Sequence, residues 1–572
     1  MFLKASLVCC CIIFGGPAFA QNGLYGDFDH DGRTDLEPLA SVDYQKRIIT
    51  LNNLDDDNRD KKPDSIDNIL NGDDDRSDLA ELRLVTKTAA SAVLLQLSQD
   101  GAATARVFNA AGTMILGPGS AEHMLIAAEL SAAKAAGQKF FVEGLEFAAK
   151  SRLTVEENGV PAYGATVEVA PLLLLPHTQA MIDNRVVQQD LDDDGASRRF
   201  VDKFKAAVSS AKAKPVVVRS HDVWMQDELE WGVSQAPYKT MHVAVHMRRN
   251  RELAEQVKAL LGPNTGYYGY FSTIEEHSSL SDPGLTSGDL DSGGNLEVTP
   301  PVPGHPFGRV YFGGRASKNT ARLCYERRQM HPLYKKFFER QGLQEPIEFN
   351  TDWLTVGHID EISTFVPTKS RPKGFVLLIA SPALALSLLD KSFKDATVLP
   401  QRYGQRPYLK KTYGQLLNWK MAGRTLRDFN KFIDAKIFGV DHKNPATESV
   451  VGTFKRELGL DAADIIEMPI LFYNEGLSED NEPDPACNSK QFSISVGAVS
   501  PGLVNLSSMG SVSLIPDPFL VPFKTYVEGK MRGIGQRVIW IDDWDKYHVA
   551  KGEVHCGSNG RREPFTKKWW QP

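Results

Sequence analysis

Two patterns of apolar and polar residues follow one another along this chain. Between residues 79 and 169, short stretches with alternating apolar and polar residues recur between turns, for example at 82–85, 140–145, 153–157 and 165–169. Alternation with a period of two is typical of strands that bury one face. The pattern predicts a small β-sandwich of roughly a hundred residues or more.

After residue 170 the pattern changes to short apolar runs that alternate with helical segments. The runs at 216–218 and 375–380 are predicted to be buried strands, whereas 254–261, 333–341 and 447–459 have the spacing of helices. Alternating strands and helices are typical of an α/β domain. We therefore expect an α+β multidomain protein, with a β-sandwich over residues 21–168 and an α/β domain over residues 169–572.

The first twenty residues have the features of a signal peptide. Lys4 gives a positive start, residues 7–14 form an apolar run, and residues 18–20 are a cleavage site. We expect residues 1–20 to be removed and the protein to be secreted, either to the periplasm or out of the cell. A lipoprotein anchor at Cys10 or Cys11 is the alternative. No later run is long and apolar enough to span a bilayer.

Composition sets limits on the class of protein. The chain has 572 residues, 42% hydrophobic and 24% charged, with a net charge of -7. These values are typical of a globular protein too long for one hydrophobic core, and the negative charge argues against a nucleic-acid partner. Cys324, Cys487 and Cys556 remain after residue 20. Three thiols cannot all pair within the chain, and a bridge between Cys324 and Cys487 is one arrangement.

An acidic loop near residue 30 has the spacing of a calcium site. It matches the front half of an EF-hand loop, with carboxylates at Asp27, Asp29, Asp31 and, after a glycine, Asp35. Oxygen ligands at every second position can wrap a cation of calcium's size. The bidentate Glu of such loops is missing, and Asp55 and Asp57 are candidate replacements. The alternative is a solvated acidic linker.

The strongest chemical signal lies near the end of the chain, where Cys556 stands between a histidine and a glycine. This setting predicts an exposed nucleophile. Far upstream, Asp227 lies in a segment rich in carboxylates, and His358 and Asp360 are two positions apart. A thiol, an imidazole and two separated carboxylates are the groups needed to attack a planar cation at carbon. Taken singly, each residue is more typical of a packed or ion-paired position.

From about residue 24 onward, the chain resembles a protein-arginine deiminase that lacks the family's N-terminal cupredoxin-like domain. Matching segments occur in one order, at residues 224–230, 235–239, 290–298, 352–361, 456–460 and 552–570. The resemblance implies a calcium-binding immunoglobulin-like middle domain over 21–168 and a five-bladed α/β propeller of the pentein type over 169–572. It also implies hydrolysis of peptidyl arginine to peptidyl citrulline with release of ammonia. The implied substrates are arginine-containing proteins or peptides.

The resemblance assigns roles to individual residues. The catalytic set is the nucleophile Cys556, which would form a thiouronium intermediate, the acid and base His358, and the guanidinium-binding carboxylates Asp227 and Asp360. Trp224 would wall the channel for the substrate side chain, and Arg251 would hydrogen-bond the substrate backbone. Arg251 also stands in a basic run, for which a solvated face is the alternative.

Calcium is the cofactor that the resemblance implies. One site maps onto the side chains of Gln226, Glu230 and Glu297 and the carbonyls of Gly293 and Leu296. Gly293 stands where the family pattern usually has an aromatic residue. A neighbouring site would use Glu228 and Asn250, but His246 and Met247 fall where more oxygen ligands are needed. We expect the second site to be weak or absent.

Two other functions remain open from the sequence. One is deimination of free arginine or agmatine on the same fold, and the other is a secreted calcium-dependent binding module whose site is idle. The sequence predicts no oligomeric state. Residues 505–507 form a glycosylation acceptor if the host is eukaryotic.

Overall fold

The computed structural model describes residues 21–70, 72–189, 195–249, 251–275, 287–314, 328–405, 408–421, 424–439, 449–475 and 495–571. The signal segment, Cys324, Cys487 and Asn250 lie outside these ranges. The chain forms two compact units. Unit 1 consists of the described residues up to Asn53, Asp57–Pro171 and Gln235–Thr240. Unit 2 consists of Leu54–Asp56, Leu172–Ser234 and the described residues from Met241 onward.

Unit 1 is built mainly of strands. Its strands are β1 Gly23–Tyr25, β2 Val42–Thr50, β3 Ala80–Val85, β4 Val93–Leu97, β5 Ala105–Asn109, β6 Met114–Leu116, β7 Glu122–Met124, β8 Gln138–Gly144, β9 Lys150–Glu157 and β10 Val160–Val169. Its helices are α1 Asp73–Arg76, α2 Gln99–Ala102 and α3 Ala127–Ala135. The strands form two five-stranded sheets, in the orders β1-β3-β8-β5-β6 and β2-β10-β9-β4-β7.

One hydrophobic cluster takes side chains from both sheets of unit 1. Leu82 and Phe140 come from the first sheet, and Leu95 and Val155 from the second. Because successive strand residues point to opposite faces, alternate positions can fill this shared core. The hairpin between β9 and β10 turns at Asn158-Gly159, where φ is 52° and 78°. Two positive φ values are the signature of the tight turn that matches the twist of paired strands.

A separate short segment, Gln235–Thr240, also belongs to unit 1. The hydroxyl of Tyr238 donates to Asp78 O at 3.0 Å and accepts from the backbone N–H of Leu51 at 3.3 Å. These bonds tie a piece of chain from beyond residue 171 into the first unit. Nothing in the residue pattern predicts this return, because it depends on contacts between distant positions.

Unit 2 holds the remaining elements, wholly or in the main. Its strands are β11 Leu173–Leu174, β12 Met181–Gln188, β13 Lys214–Arg219, β14 Leu229–Gln235, β15 Thr240–His246, β16 Thr265–Tyr268, β17 Leu296–Val298, β18 Val310–Gly313, β19 Ile347–Phe349, β20 Ser363–Pro367, β21 Phe375–Ser381, β22 Lys420–Met421, β23 Arg424–Thr425, β24 Ile465–Pro469, β25 Phe472–Asn474, β26 Val496–Ala498, β27 Ser507–Met509, β28 Val512–Pro516, β29 Arg537–Ile541 and β30 Ser558–Arg562. Its helices are α4 Ala196–Ser210, α5 Met225–Glu228, α6 Ala254–Lys258, α7 Pro332–Gln341, α8 Pro382–Ser392, α9 Tyr413–Leu417, α10 Leu426–Phe438, α11 Val450–Leu458 and α12 Val521–Gly533. With its strands and helices mixed along the chain, the protein has α/β content.

Five sheets of three or four strands recur within the described part of unit 2, besides two sheets of two strands each. Their orders are β13-β12-β30, β11-β14-β15-β16, β17-β18-β19, β20-β21-β24 and β27-β28-β29. In each three-stranded sheet the central strand pairs antiparallel on one side and parallel on the other. A parallel pair needs a crossover, and α4, α6, α7 and α12 supply four of them. The sheet of β12 obtains its antiparallel partner from β30, far along the chain.

Local signals explain several of these boundaries. Pro332 occupies the first turn of α7, and Gly342 ends the helix with φ at 72°. Ser449 caps α11 by accepting from the N–H of Gly452 at 3.0 Å. These helices and the fully buried β21 confirm the predictions at 333–341, 447–459 and 375–380.

One prediction about the strands is wrong. Residues 216–218 do lie in a strand, β13, but this strand is not buried, and Val217 is 38% exposed. The reason is its position at the edge of the sheet β13-β12-β30, where only one side has a partner strand. None of the helices in the described ranges is long and apolar enough to cross a lipid bilayer.

Candidate active site

Cys556 lies in the turn that leads into β30, and Asn505 holds it from two sides. Asn505 Oδ1 accepts from the backbone N–H of His555 at 3.0 Å and of Cys556 at 3.2 Å. Asn505 Nδ2 donates to Cys556 Sγ at 3.1 Å. One side chain therefore fixes the turn and supplies a hydrogen bond that would stabilise a thiolate.

The thiol is not exposed, contrary to the prediction from its glycine-flanked setting. Cys556 is 6% exposed and Asn505 2%, because aromatic rings pack on the turn: an added side chain at Gly557 would meet Tyr547 at 2.2 Å. The burial of Asn505 also argues against the glycosylation suggested for residues 505–507. Sequence reasoning missed the role of Asn505, since no local pattern marks it.

Asp360 is the carboxylate nearest the sulfur. It lies in the short 3-10 turn Ile359–Glu361, and its Oδ2 is 3.5 Å from Cys556 Sγ and 2.8 Å from His555 Nδ1. Its Oδ1 is buried and accepts no hydrogen bond from any described residue. One oxygen is thus committed to the nucleophile and its neighbour, and the other is available to a ligand.

His358 precedes this turn and is held in one orientation. Its Nε2 lies 2.8 Å from the carbonyl of Asp289. A carbonyl only accepts, so Nε2 carries a proton and Nδ1 is the atom that can gain or lose one. Nδ1 is 3.7 Å from Asp227 Oδ1. Burial lowers the pKa of His358, but the charges of Asp227, Asp360 and Glu361 outweigh burial and raise it above its ordinary value.

Asp227 lies in the single turn α5 and faces His358. Arg249 Nε approaches its Oδ2 only to 3.8 Å, and within the described ranges its Oδ1 has no hydrogen-bond partner. Burial is the main cause that raises the pKa of Asp227 to about 6, and the charge of Asp360 adds to it. Burial raises the pKa of the Cys556 thiol well above its ordinary value, and the charges of Asp360 and Asp227 raise it further. The site therefore has an excess of negative charge and room for a cation.

Trp224 and Arg251 lie at a neighbouring open cleft of about 530 Å³, whose lining also includes Asp222 and Arg249. A side chain on Gly552 would meet the Trp224 ring at 2.3 Å, so the indole packs directly on the turn that precedes Cys556. Arg251 is exposed, and its backbone N–H donates to Glu228 Oε1 at 3.4 Å. Arg249, which sequence reasoning did not single out, donates to Trp224 O at 3.3 Å and pairs with Asp222 at 2.7 Å.

The five residues of the expected calcium site converge behind the nucleophile. Gln226 Nε2 donates to Glu230 Oε1, and Glu297 Oε1 is buried without a partner among the described residues. Burial raises the pKa values of Glu230 and Glu297 well above the ordinary value, and Glu230 adds to the effect on Glu297. A side chain at Gly293 would meet Gln226 O at 2.2 Å, so the two backbones require a glycine there. Gln226 Oε1 accepts from Asn559 Nδ2 at 2.9 Å. With the carbonyl of Leu296, these residues would offer an all-oxygen donor set to a hard cation once Gln226 Oε1 turns from Asn559 to the ion.

The neighbouring position, at Glu228, is a poor match for calcium because His246 and Met247 stand beside it. His246 Nε2 lies 3.0 Å from Glu228 Oε1, and His246 Nδ1 lies 2.8 Å from the hydroxyl of Tyr267. All of Glu228, His246 and Met247 are buried. An imidazole thus takes one oxygen of the carboxylate that a calcium ion would need, whereas Glu228 Oε2 has no hydrogen-bond partner among the described residues. The weak or absent second site stays a prediction.

The acidic loop of unit 1 brings Asp27, Asp29 and Asp35 together. Asp27 accepts from the N–H of Asp31 and of Gly32, each at 3.0 Å, and burial raises its pKa to about 6. Asp31 turns to the backbone N–H of Arg33 at 2.9 Å.

The two candidate replacement ligands lie in different units. Asp55, in unit 2, accepts from the N–H of Asn264 at 2.8 Å. Asp57, in unit 1, donates its N–H to Asp64 at 3.1 Å.

Comparisons with known proteins agree with one family. The family profile described as Protein-arginine deiminase (PAD) matches residues 164–571. Protein-arginine deiminase type-1 from Mus musculus is 32% identical over 461 residues, covering 76% of this chain and 62% of that protein. Type-4 from Homo sapiens is 31% identical over 571 residues, covering 91% and 77%. The chain thus spans about 62% of the length of the type-1 relative.

A solved structure of an agmatine deiminase from C. jejuni with substrate bound also aligns. It covers 68% of this chain and 96% of its own at 10% identity, with a TM-score of 0.37. A TM-score of this size carries no weight for either fold or function.

Proposed function

Since this chain belongs to the protein-arginine deiminase family, we propose that it hydrolyses peptidyl arginine to peptidyl citrulline and ammonia. The observation that carries the proposal is the grouping of Cys556 Sγ with two carboxylates, Asp227 and Asp360, whose buried Oδ1 atoms have no partner among the described residues. Buried anions of this kind need a cation to balance them. An arginine side chain supplies one.

The guanidinium is recognised by its shape as well as its charge. It remains protonated at any relevant pH and presents a rigid fork of N–H donors. Asp227 Oδ1 and Asp360 Oδ1 would accept from these donors and fix the plane of the group. The central carbon would then face Cys556, which is already within hydrogen-bond distance of Asp360.

Binding of the cation also activates the thiol. The guanidinium neutralises Asp360 and Asp227 and so removes their effect on the pKa of Cys556. The cation itself also favours the thiolate, so the thiol would lose its proton to solvent when substrate is bound. Asn505 Nδ2 donates to the sulfur and stabilises the thiolate. The thiolate then forms a bond to the guanidinium carbon.

His358 moves the protons in both halves of the reaction. Its Nδ1 would give a proton to the departing ammonia, leaving a thiouronium intermediate on Cys556. The same nitrogen would then take a proton from water, whose oxygen attacks the carbon and releases citrulline and the thiolate. Before substrate binds, the carboxylates around His358 raise its pKa and favour the protonated form needed for the first step.

Calcium would act on this site through the residues behind it. Gln226, Glu230, Glu297 and the carbonyls of Gly293 and Leu296 would hold the ion, which would neutralise two buried carboxylates. The backbone N–H of Gln226 donates to Cys556 O at 3.1 Å, so one hydrogen bond links the proposed calcium ligands directly to the nucleophile residue. We propose calcium support for this reason, and a structural calcium at the loop of Asp27, Asp29, Asp31 and Asp35.

The finer architecture and the location are part of the same proposal. The five repeated sheets of unit 2 support a five-bladed propeller of the pentein type, and the two packed sheets of unit 1 support an immunoglobulin-like sandwich. Secretion is supported by residues 1–20 of the sequence alone.

A peptide is favoured over free arginine by one feature. Arg251 is exposed in the cleft that also holds Trp224, where it could donate to the carbonyls of a bound peptide. Free arginine and agmatine have no backbone on both sides to use that donor.

The test is citrulline and ammonia release from an arginine peptide blocked at both ends, with free arginine measured alongside. Both substrates are assayed with excess calcium and with chelator, and Cys556→Ala is the control. We expect turnover of the blocked peptide that calcium increases and that Cys556→Ala abolishes. Equal kcat/KM on free arginine would instead favour the smaller substrate. No citrulline from either substrate with calcium present would refute the enzymatic function.

A further inference from the structure

A second group of metal-ligand side chains lies next to the proposed calcium set. His177 follows β11, His555 precedes Cys556, and Glu297 lies in β17. His177 Nε2 and His555 Nε2 are 3.2 Å apart. Glu297 Oε2 is 3.4 Å from His177 Nε2, and Glu297 Oε1 is 3.6 Å from His555 Nε2. The catalytic roles described above use neither imidazole.

These separations are those of ligands around one small ion. A tetrahedral zinc site with bonds of about 2.0–2.1 Å has ligand atoms about 3.3–3.4 Å apart. We propose that His177, Glu297 and His555 form a binding site for a divalent transition-metal ion that accepts tetrahedral coordination, such as Zn²⁺. Two imidazoles and one carboxylate are a common ligand set for zinc, with a fourth position left for water.

The second ring nitrogens of both histidines are already oriented. His555 Nδ1 lies 2.8 Å from Asp360 Oδ2, so its proton is held by that carboxylate and Nε2 keeps its lone pair. His177 Nδ1 lies 3.3 Å from the hydroxyl of Thr364. A carboxylate that accepts from the far nitrogen of a metal-bound histidine is the arrangement that fixes such ligands in known sites.

The surroundings leave a place for the ion. Glu297 is 4% exposed, and its Oε1 has no hydrogen-bond partner in the described part of the chain. His177 and His555, but not Glu297, also line a cavity of about 20 Å³ together with Glu230 and Arg562, which is enough for one water-sized group. Arg562 opposes a cation, but its guanidinium is engaged by the carbonyls of His177, Gln179 and Ser508.

The two metals would compete, because both sites need Glu297. Calcium prefers oxygen ligands, so it has no use for the imidazoles, whereas zinc binds them well. A zinc ion on His555 would also polarise the hydrogen bond to Asp360, the carboxylate nearest Cys556 Sγ. If the proposed deimination is correct, zinc is expected to inhibit it, and excess calcium to relieve the inhibition.

Metal binding is tested without turnover. Wild-type, His177→Asn and His305→Asn proteins are dialysed against Zn²⁺ at a fixed free concentration, and bound zinc is counted per chain. His305 lies in the turn between β17 and β18 and is a matched histidine outside the cluster. We expect His177→Asn to bind one zinc fewer than the other two proteins, or to bind that zinc at least tenfold more weakly. Equal zinc binding by all three proteins would refute the site. The two imidazoles would then be joined only by an N–H···N hydrogen bond.

The thiol needs its own control, since Cys556 could itself bind zinc. Cys556→Ala is expected to keep the zinc that His177→Asn loses. Co²⁺ is expected to give the visible absorption of a tetrahedral site, without a sulfur-to-metal charge-transfer band, and to lose that absorption in His177→Asn. Loss of the zinc in Cys556→Ala, or a charge-transfer band, would assign the metal to the thiolate instead.

Inhibition is measured separately with the blocked arginine peptide. His177→Asn is expected to require at least tenfold more zinc for half-inhibition than His305→Asn. If none of the proteins has turnover, the dialysis result still decides whether the metal site exists. A failure of the metal site can therefore be told apart from a failure of the proposed function. Equal sensitivity of the two variants would refute the regulatory role.

Discussion

Asp227 allows stability and activity to be separated by a single substitution. Its carboxylate is almost buried, and Arg249 Nε approaches it only to 3.8 Å. Burial is the main cause that raises the pKa of Asp227 from 3.8 to about 6. Without a bound cation, the ionised carboxylate therefore destabilises the fold at neutral pH.

Asp227→Asn removes this charge and keeps the shape of the side chain. A pKa difference of about two units, at about 1.4 kcal/mol per unit, sets an upper limit of about 3 kcal/mol on the gain in unfolding free energy at pH 7.5. Unit 2 has roughly 400 residues. With an unfolding entropy of about 2.1 cal/mol/K per residue, the gain corresponds to a rise in Tm of roughly 3–4 °C.

The gain should depend on pH in one direction. Because the folded pKa is raised, the stability contributed by the protonated carboxyl is complete below pH 3.8 and is lost as the pH rises through about 6. The advantage of Asp227→Asn should therefore fall to about one third of its full value at pH 4.5. The measurement is thermal unfolding in chelator across this pH range, in a Cys556→Ala background.

A bound arginine derivative should reverse the order of the two Tm values, with Asp227 present and with Asp227→Asn. A saturating blocked arginine amide is expected to raise the Tm of the Cys556→Ala protein and to leave Asp227→Asn almost unchanged. Asp517→Asn is the control, because Asp517 accepts from Lys524 at 2.6 Å and its loss should lower the Tm. A lower Tm for Asp227→Asn at pH 7.5, or equal stabilisation of both proteins by the ligand, would refute the reasoning.

Three further outcomes follow from the site. The value of kcat/KM should fall below about pH 6, where Asp227 becomes protonated and no longer binds the guanidinium; a flat profile down to pH 5 would contradict this. Asn505→Asp keeps the side-chain acceptor but replaces the N–H donor to Cys556 Sγ with an oxygen. The value of kcat should therefore fall about 10- to 100-fold, and the pH at which iodoacetamide alkylates Cys556 at half its maximal rate should rise. Gly552→Ala should displace Trp224 and lower kcat/KM, visible as changed tryptophan fluorescence, whereas Gly529→Ala, with open space around it, should leave activity intact.

The sequence carries the catalytic candidates in short contiguous segments. His358 and Asp360 are two positions apart, so one short turn places both. Asn505 could not be predicted in the same way, because it reaches Cys556 across 51 positions and its own neighbourhood suggests only a glycosylation acceptor. His177 had no signal either, since a lone histidine beside a proline is uninformative until the fold brings it to His555.

The fold shows the same division between local and distant information. Periodicity predicts that residues 153–157 and 375–380 are strands and that residues 333–341 are a helix, which the structure has as α7. Pairing depends on the whole topology instead. No pattern indicates that β30 lies beside β12, or that Gln235–Thr240 returns to unit 1. The prediction that Cys556 is exposed is wrong because its burial comes from chain segments that are distant in sequence.

The position of Cys556 just ahead of β30 also affects how the protein is made. The ribosome adds about 5–20 residues per second, and Cys556 comes 329 positions after Asp227. Asp227 therefore exists for roughly 15–65 s before Cys556 is synthesised. The strand that pairs with β12 follows the nucleophile directly. A chain interrupted before residue 556 lacks both the thiol and this strand, so if the proposed deimination is correct, incomplete products of translation should be inactive.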